Sequence, residues 1–386
     1  MQISIARRVL CGSMVALGAA VLAGCSMFSA APNPRFDPAP LTEYPAGISV
    51  HVAWSTGIGS GGGAGFAPQV VGDSVYAATP SGSVAKVDLA TGAVRWQASA
   101  GVKLSAGVGS DGQVTAVAAP DGTVIAFDDQ GTEKWRVHAT SEVDIPPAVG
   151  NGVVVVRSSD YRIQAFDAGS GEALWNVQRP GPALALKTNM RMIMIEGLLI
   201  SGLPNGKFIA INVRTGAVQW EGTVSVSQGA TDLERISDVV GSPQTQGALL
   251  CGVSYQGRLA CFDVSQGGRL LWDKPFSSAT GMTTDSQQAY VSDQRSVVYS
   301  FALGDGHELW KQTALRNRAL SGPAVVPQGL AVGDMEGYVH FLSRSDGHLL
   351  GRVQVGGGAV VSPLTATSRG VLVQTGNGNL VLIGVN

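Results

Sequence analysis

A hairpin motif recurs along the chain and constrains the fold more than any other feature of the sequence. In its clearest copy, Val84 to Trp96, alternating apolar positions form a strand that enters a turn at Asp88. An aspartate can bind backbone amides two residues on, and Gly92 supplies the positive φ that the turn requires. The second strand is predicted to end in Trp96, a large apolar side chain. An isolated hairpin is marginally stable in water, so each copy must pack against neighbours.

Six further copies follow, and an eighth contains only the first strand of the motif. The complete copies begin at Val124, Ile163, Phe208, Leu259, Val298 and Val339, and the truncated one begins at Leu380. Successive tryptophans of the repeat lie about 40 residues apart, with one longer interval between Trp220 and Trp272. A period near forty residues with several short strands is typical of a four-stranded propeller blade.

The missing partner of the truncated copy lies at the N-terminus. Residues 48–54 form an alternating strand that ends in Trp54. Paired with the last strand, it would complete the final blade and remove two free sheet edges. We therefore predict an all-β fold over residues 47–386, an eight-bladed β-propeller of four-stranded antiparallel blades closed by an N-terminal strand. The alternatives are two stacked β-sandwiches or an open solenoid, but a solenoid predicts polar caps, whereas each end here carries half a repeat.

Residues 1–24 are predicted to be a lipoprotein signal peptide. Arg7 and Arg8 precede an apolar run, residues 9–21, which is followed by Leu-Ala-Gly and Cys25. The run is shorter than the ~20 apolar residues of a membrane-spanning helix, and a twin-arginine signal fits the flanking residues poorly. The sequence before Cys25 resembles a bacterial lipobox. The resemblance implies cleavage before Cys25 and acylation of its thiol and of its new amino group.

Residues 25–46 are predicted to be an acylated cysteine followed by a tether. The tether contains five prolines, Pro32, Pro34, Pro38, Pro40 and Pro45. As polyproline II it would reach roughly 65 Å, and several acyl chains together anchor a protein stably. Ser26 implies sorting to the outer membrane, so we expect a protein that is lipid-anchored there on the periplasmic face.

Two further cysteines, Cys251 and Cys261, are symmetrical about a hairpin turn predicted at residues 255–257. They would face each other directly at a Cα separation of roughly 4.5–5.5 Å, which a disulfide tolerates. An oxidising periplasm would favour the bond. Two small buried thiols remain the alternative.

Catalytic, metal-binding and nucleic-acid-binding signatures are absent from the sequence. The net charge is −2 with 14% charged residues, so there is no electrostatic footprint for nucleic acid. His307 and His348 follow glycines at the same turn position of two repeats, and the other three histidines are isolated. No catalytic residue, metal site or cofactor is predicted.

The hairpin resembles the repeat of quinoprotein dehydrogenases, in which tryptophans dock neighbouring blades. This implies a docking role for Trp54, Trp96, Trp135, Trp175, Trp220, Trp272 and Trp310. It also raises the alternative of a periplasmic quinoprotein-type dehydrogenase, although the chain lacks the adjacent cysteine pair and the carboxylate–amide calcium set of those enzymes. A cell-wall or polysaccharide-binding propeller is a further alternative, which would need a cluster of exposed aromatic side chains.

Lipobox, tether and eight repeats together resemble the BamB family, the lipoprotein subunits of the outer-membrane β-barrel assembly machinery. Two segments sharpen the resemblance. Residues 182–187, Pro-Ala-Leu-Ala-Leu-Lys, are similar to the family's Ser-Leu-x-Leu-Arg run, and residues 235–240, Arg-Ile-Ser-Asp-Val-Val, are similar to its Arg-Leu-Ser-Asp-Val-Asp run. In the family these loops bind the periplasmic POTRA repeats of the barrel-forming subunit BamA. The resemblance implies a partner-binding role for Leu184, Leu186, Lys187, Arg235 and Asp238.

Two positions depart from the family pattern. Lys187 replaces an arginine and loses its planar five-donor fork, and Val240 replaces an acid, so we expect one charge-assisted contact to be missing. The alternative for the leucines is the buried face of a strand, and for Asp238 a cap or turn residue. The implied function is a non-enzymatic accessory scaffold that assists folding and insertion of outer-membrane proteins beside other assembly-complex lipoproteins. Direct binding of unfolded clients, by strand addition to a blade edge, stays open.

Overall fold

The computed structural model describes residues 34–386, so the predicted signal peptide and Cys25 lie outside the described residues. Two units are distinguished, one ending at Pro38 and one comprising residues 39–386. The described part of the first contains a short 3-10 helix, Pro34–Phe36. The second consists of β-strands and one further 3-10 helix, Val264–Gln266. Between residues 34 and 386, no helix combines the length and apolar character needed to cross a membrane.

The first strand, β1, spans Val50–Gly57, and the next sixteen form four consecutive four-stranded blades. Blade 1 contains β2 Gln69–Val71, β3 Ser74–Ala78, β4 Ser83–Asp88 and β5 Val94–Ser99. Blade 2 contains β6 Gly109–Ser110, β7 Thr115–Ala118, β8 Thr123–Phe127 and β9 Glu133–His138. Blade 3 contains β10 Ala148–Gly150, β11 Val153–Arg157, β12 Arg162–Asp167 and β13 Ala173–Gln178. Blade 4 contains β14 Met192–Ile195, β15 Leu198–Gly202, β16 Lys207–Asn212 and β17 Val218–Thr223.

The remaining fifteen strands form three complete blades and three strands of the last. Blade 5 contains β18 Val239–Gln246, β19 Leu249–Ser254, β20 Gly257–Asp263 and β21 Arg269–Phe276. Blade 6 contains β22 Met282–Thr284, β23 Gln288–Ser292, β24 Val298–Ala302 and β25 Glu308–Gln312. Blade 7 contains β26 Ala324–Val326, β27 Gly329–Gly333, β28 Tyr338–Leu342 and β29 Leu349–Gln354. Blade 8 contains β30 Thr365–Thr367, β31 Gly370–Gln374 and β32 Asn379–Val385, with β1 as its fourth strand. The predicted eight-bladed antiparallel architecture is confirmed.

The two ends of the unit meet in blade 8. Strand β1 pairs antiparallel with β32, with Val50 opposite Val385, and the backbone of Asn386 bonds to that of Ser49. The indole N–H of Trp54 donates to the carbonyl of Leu89 in blade 1 at 3.0 Å. The N-terminal strand therefore closes the ring as predicted, although it spans Val50–Gly57 rather than residues 48–54.

Each repeat tryptophan contacts the turn between the two outer strands of the following blade. Six of the seven donate an indole N–H to a turn carbonyl at 2.8–3.0 Å, and Trp220 lies against the longer turn of blade 5. Every contacted turn has a positive-φ glycine facing the indole, at Gly92, Gly131, Gly171, Gly216, Gly268, Gly306 and Gly347. Trp96 occupies the third position of β5 rather than its end, so strand residues precede and follow it.

Blade 7 is the one complete repeat without a tryptophan, and its place in the ring explains this. The following blade is blade 8, whose two outer strands come from opposite ends of the chain, so no turn joins them. Gly351 occupies the tryptophan position, and a Cβ there would lie 3.3–3.4 Å from Ile48 and Val50. The approach of the N-terminal segment therefore replaces the indole contact.

Cys251 and Cys261 lie directly opposite each other in β19 and β20, the register that the sequence predicts. The structure joins them in a disulfide that is almost completely buried in the core between blades 5 and 6. It therefore lies within a blade, away from the central axis.

The N-terminal segment contacts the rim of the ring before the predicted boundary at residue 47. Ala39 accepts a hydrogen bond from the buried guanidinium of Arg318 at 2.9 Å. Arg352 binds the carbonyl of Thr42 and the carboxylate of Glu43, both at 2.7 Å, and lies over the ring of Tyr44. Residues 39–44 of the segment predicted to be a tether thus contact the propeller.

Candidate functional site

The five residues with a predicted partner-binding role lie in two consecutive inter-blade linkers, residues 179–191 and 224–238. We call these segments the paired linkers. The first connects β13 to β14 and the second connects β17 to β18. Each runs from the outermost strand of one blade to the first strand of the next, so both lie on the same face of the ring. The repeat thus places the two segments side by side although they are far apart in sequence.

A buried carboxylate joins the paired linkers. Asp238 is fully buried, and its Oδ2 accepts a hydrogen bond from the backbone N–H of Leu186 at 2.6 Å. Its Oδ1 has no hydrogen-bond partner among the residues that the structure describes. Burial raises the pKa of Asp238 to about 6, against the opposing effects of the Leu186 amide and of the Arg157 charge. Asp238 positions the first linker from inside rather than presenting a charge at the surface.

Arg157, at the end of β11, is the buried cation beneath the linkers. It donates to the Ser201 hydroxyl at 3.3 Å and to the Gly202 carbonyl of blade 4. Burial lowers the pKa of its guanidinium, and the charges of Asp144 and Asp238 oppose that shift. Burial disfavours the charged form of Asp144 as well, and it therefore raises the pKa of that carboxyl group. The charges of Arg157, Asp144 and Asp238 therefore interact beneath the linkers, and Arg157 ties this group to blade 4.

The two leucines of the first linker have different environments. Leu184 is 43% exposed, while Leu186 is half-buried and packs against the core cluster that contains the disulfide and Val240. Lys187 is exposed, and its Nζ lies 2.7 Å from Glu142. Bonding to that carboxylate raises the pKa of Lys187. Of the two predicted apolar contacts, Leu184 is therefore the one available to a partner.

The second linker folds into a compact turn that exposes apolar side chains. The Glu234 carboxylate accepts hydrogen bonds from two backbone N–H groups at 2.8 and 3.0 Å, and the exposed Arg235 donates to the Gly229 carbonyl. Val226 and Leu233 are each 67% exposed. Sequence reasoning missed both, although apolar residues within a stretch rich in Ser, Gln, Gly and Thr were a usable signal.

The two linkers form one continuous surface. Ser227 and Ser237 are joined through their hydroxyls at 2.7 Å, which holds Val226 near Asp238. Leu184 lies two residues from Leu186, within about 7 Å along the chain at ~3.6 Å per residue. Leu184 and Val226 are thereby linked to the two sides of the Leu186–Asp238 bond, and Leu233 adds a further exposed apolar side chain to the second linker.

Val240, where the family pattern has an acid, lies in the core rather than on the exposed surface of the paired linkers. Val240 lies in β18 opposite Val253, and its side chain is buried in the core between blades 5 and 6. A carboxylate there would be desolvated, so valine is the residue that this core favours.

The residues of the central channel do not fit a quinone cofactor with its calcium ion. Asp285 is the carboxylate that lines the channel cavity, and its oxygens already bind Tyr290 at 2.8 Å and Arg344 at 3.3 Å. No group of three His, Cys, Asp or Glu side chains suited to a metal ion occurs within residues 34–386. The disulfide lies inside a blade.

Exposed aromatic side chains, which a polysaccharide-binding surface would need, are scarce in the described residues. Phe36 is the one Phe, Tyr or Trp that falls in the exposed class between residues 34 and 386. The tryptophans pack against the blade turns. Nothing in this part of the chain favours a carbohydrate platform.

Comparison with known proteins adds independent evidence. A family model described as outer membrane protein assembly factor BamB matches residues 52–102, 80–312 and 294–386. The outer membrane protein assembly factor BamB of Bordetella pertussis is 61% identical over 375 residues, which cover 97% of each chain. The crystal structure of BamB from Moraxella catarrhalis superposes with a TM-score of 0.81 at 24% identity, covering 87% of this chain and 100% of that one.

The fold is shared with enzymes as well. The quinohemoprotein alcohol dehydrogenase of Comamonas testosteroni matches with a TM-score of 0.66 at 14% identity, covering 87% of this chain and 76% of that one. At this identity the likeness concerns the fold alone, since unrelated functions share propeller folds.

Proposed function

Since the chain belongs to the BamB family of outer membrane protein assembly factors, we propose that it acts as a non-enzymatic scaffold that binds the periplasmic POTRA repeats of the barrel-forming subunit through the paired linkers. Other assembly-complex lipoproteins and unfolded client proteins are further partners in this proposal. The single observation that carries it is the Leu186–Asp238 bond, which holds two loops together as one surface.

The composition of that surface supports an interface. Leu184, Val226 and Leu233 are exposed apolar side chains, and Lys187 and Arg235 lie beside them as cations. Apolar contacts with a polar rim are typical of protein–protein interfaces. Natural folds keep such side chains exposed on rigid loops mainly for binding.

The five predicted partner-binding residues divide into two roles in this proposal. Leu184, Lys187 and Arg235 contact the partner, because they are exposed. Leu186 and Asp238 position the linkers, because one is packed against the core and the other is buried. Val226 and Leu233 join the contacting group.

The scaffold role in this proposal involves no catalysis. Its support is that the family is described as an assembly factor and that the channel lacks a donor set for a quinone and its calcium ion. We also propose that Cys25 is acylated after cleavage of residues 1–24, which would hold the ring at the periplasmic face of the outer membrane. A Cys25→Ser variant should then be released from membranes on fractionation, and a variant that stays membrane-bound would argue against the anchor.

The partner interface is tested with Leu184→Asp in the full-length chain. Leu309→Asp is the matched control, because Leu309 is also 43% exposed but lies on β25 of blade 6. Loss of one apolar contact and introduction of a charge should reduce co-purification with the barrel subunit at least about tenfold. Both variants should keep the wild-type melting temperature within about 2 °C, since both positions are surface sites. Unchanged co-purification of Leu184→Asp would move the interface away from the paired linkers.

A further inference from the structure

The first strands of the blades surround a cavity of about 480 Å³ on the axis of the ring. Its lining residues come from the first strands of blades 5 to 8 and from the segments that enter blades 1, 4, 6, 7 and 8. The polar ones include Asn189, Arg191, Ser242, Gln244, Thr283 and Thr284. Ala366 of β30 also lines it and is exposed, so solvent reaches the cavity. Ligand sites in proteins commonly have volumes of about 300–1,000 Å³.

Arg191 is the cation of this cavity. Its backbone N–H binds the Gly241 carbonyl at 3.1 Å, and its guanidinium reaches across the channel to the Ala67 carbonyl. No carboxylate forms an ion pair with Arg191 in the part of the chain from residue 34 to residue 386. The guanidinium is thus held inside the ring with one neutral acceptor and no counter-charge.

The carboxylate that shares the cavity does not neutralise Arg191. Asp285 accepts backbone hydrogen bonds from Gln287 and Gln288 at 2.9 and 2.8 Å, and its other oxygen binds Tyr290 and Arg344. Burial lowers the pKa of Arg191 only to about 10, so it stays charged at neutral pH. Arg191 is partly exposed to the cavity, so its guanidinium is a positive charge that an anionic ligand entering the cavity can reach.

We propose that the axial cavity is a binding site for a small oxyanion, a molecule bearing a carboxylate or phosphate group, with Arg191 as its charged partner. The planar guanidinium offers paired N–H donors to either group. The hydroxyl and amide side chains that line the cavity suit the remaining polar atoms of such a ligand. Asn189 and Arg191 are near the end of the first paired linker, and the other lining residues come from the channel strands and the segments that enter them.

The test is isothermal titration calorimetry of the full-length chain with inorganic phosphate and with succinate, at constant ionic strength set with sodium chloride. Wild-type protein should show saturable binding of at least one of the two. Arg191→Gln removes the positive charge and keeps a polar side chain, and it should weaken binding about tenfold or more. Phosphate binding alone or succinate binding alone identifies the preferred group.

A second variant separates binding from stability. Ala366→Phe adds a phenyl group to the cavity wall at β30 without changing Arg191, and it should weaken binding while the propeller stays folded. An Arg95→Gln variant, at an exposed arginine of blade 1, should bind as the wild type does. Absence of saturable binding to both probes in wild-type protein overturns the proposal, as does equal binding by wild type and Arg191→Gln.

Discussion

The carboxylate of Asp238 accepts the backbone N–H of Leu186, 52 residues earlier in the chain, at 2.6 Å. The contact joins two loops that enter different blades, and both partners lie below the surface that the loops expose. The bond orders these two irregular loops in the free protein. Binding of a partner then costs less conformational entropy, because the loops do not have to be ordered on association.

Stability should depend on pH through Asp238. An aspartate ionises near pH 4 in an unfolded chain, and burial raises the pKa to about 6 in the folded protein. The folded state therefore binds more protons over this interval, so this group's contribution is greatest below pH 4 and is lost as pH rises through 6. Relative to Asp238→Asn, wild-type protein should lose about 1 kcal/mol of unfolding free energy between pH 5 and pH 7.5.

Urea denaturation of both proteins at the two pH values measures this difference. The asparagine keeps an oxygen that can accept the Leu186 N–H but carries no charge. Parallel stability profiles for the two proteins would contradict the assigned ionisation of Asp238.

The indole contacts should make the turn glycines far less tolerant of substitution than glycines elsewhere. Gly347 has φ +75° and a Cβ there would lie 2.5 Å from the ring of Trp310, whereas Gly356 has φ +71° and open space. Alanine at either position adds the strain of a left-handed backbone. Gly347→Ala should also force the indole to move, and should destabilise by about 1–3 kcal/mol more than Gly356→Ala in chemical denaturation. Equal losses would mean that the indole does not pack there.

Restoring the repeat's tryptophan in blade 7 should be harmful. Gly351 is buried, and Ile48 and Val50 already occupy the space beyond it. Gly351→Trp should lower stability by about 1–3 kcal/mol or more through overpacking, measured as a fall in melting temperature. A stabilised variant would show that the missing tryptophan has another cause.

Removing the disulfide should destabilise blade 5. The bond links residues 10 apart, and closing a loop of that size contributes roughly 2–3 kcal/mol by the chain-entropy estimate. A Cys251→Ala, Cys261→Ala double variant should unfold at correspondingly lower urea concentration than oxidised wild type. Adding a strong reductant during unfolding should remove most of that difference, and a difference that persists would assign the effect to lost packing instead.

The sequence predicts the propeller well because one hairpin motif recurs about every 40 residues, and each copy corresponds to one blade. The hairpin at Asp88–Gly92 is realised as an aspartate turn, with the Asp88 Oδ1 accepting from two backbone amides at 2.9–3.0 Å. The register of the β19–β20 hairpin alone places Cys251 directly opposite Cys261. Local rules of this kind apply to each copy independently, so their agreement across copies determines the number of blades.

The linkers could not be predicted to the same depth, because they lie outside the period. The alternation of Leu184 and Leu186 suggests equivalent side chains, yet only one of them is exposed. Whether the carboxylate of Asp238 faces solvent or the interior depends on Arg157 and Leu186, which come from other blades. Such long-range contacts are set by tertiary packing rather than by local sequence.

The pairing of β1 with β32 imposes an order of events on the newly made chain. Of the strands that the structure describes, β1 is the first along the chain and pairs with β32, the last, so the two cannot pair until both have been made. Seven blades can assemble as they appear, but the eighth must wait for the final residues. A chain that stops before residue 379 would lack β32 and leave the edges of β1 and β31 unpaired. Exposed strand edges promote aggregation. Closure of the ring therefore requires residues 379–385, because they form the strand that pairs with β1.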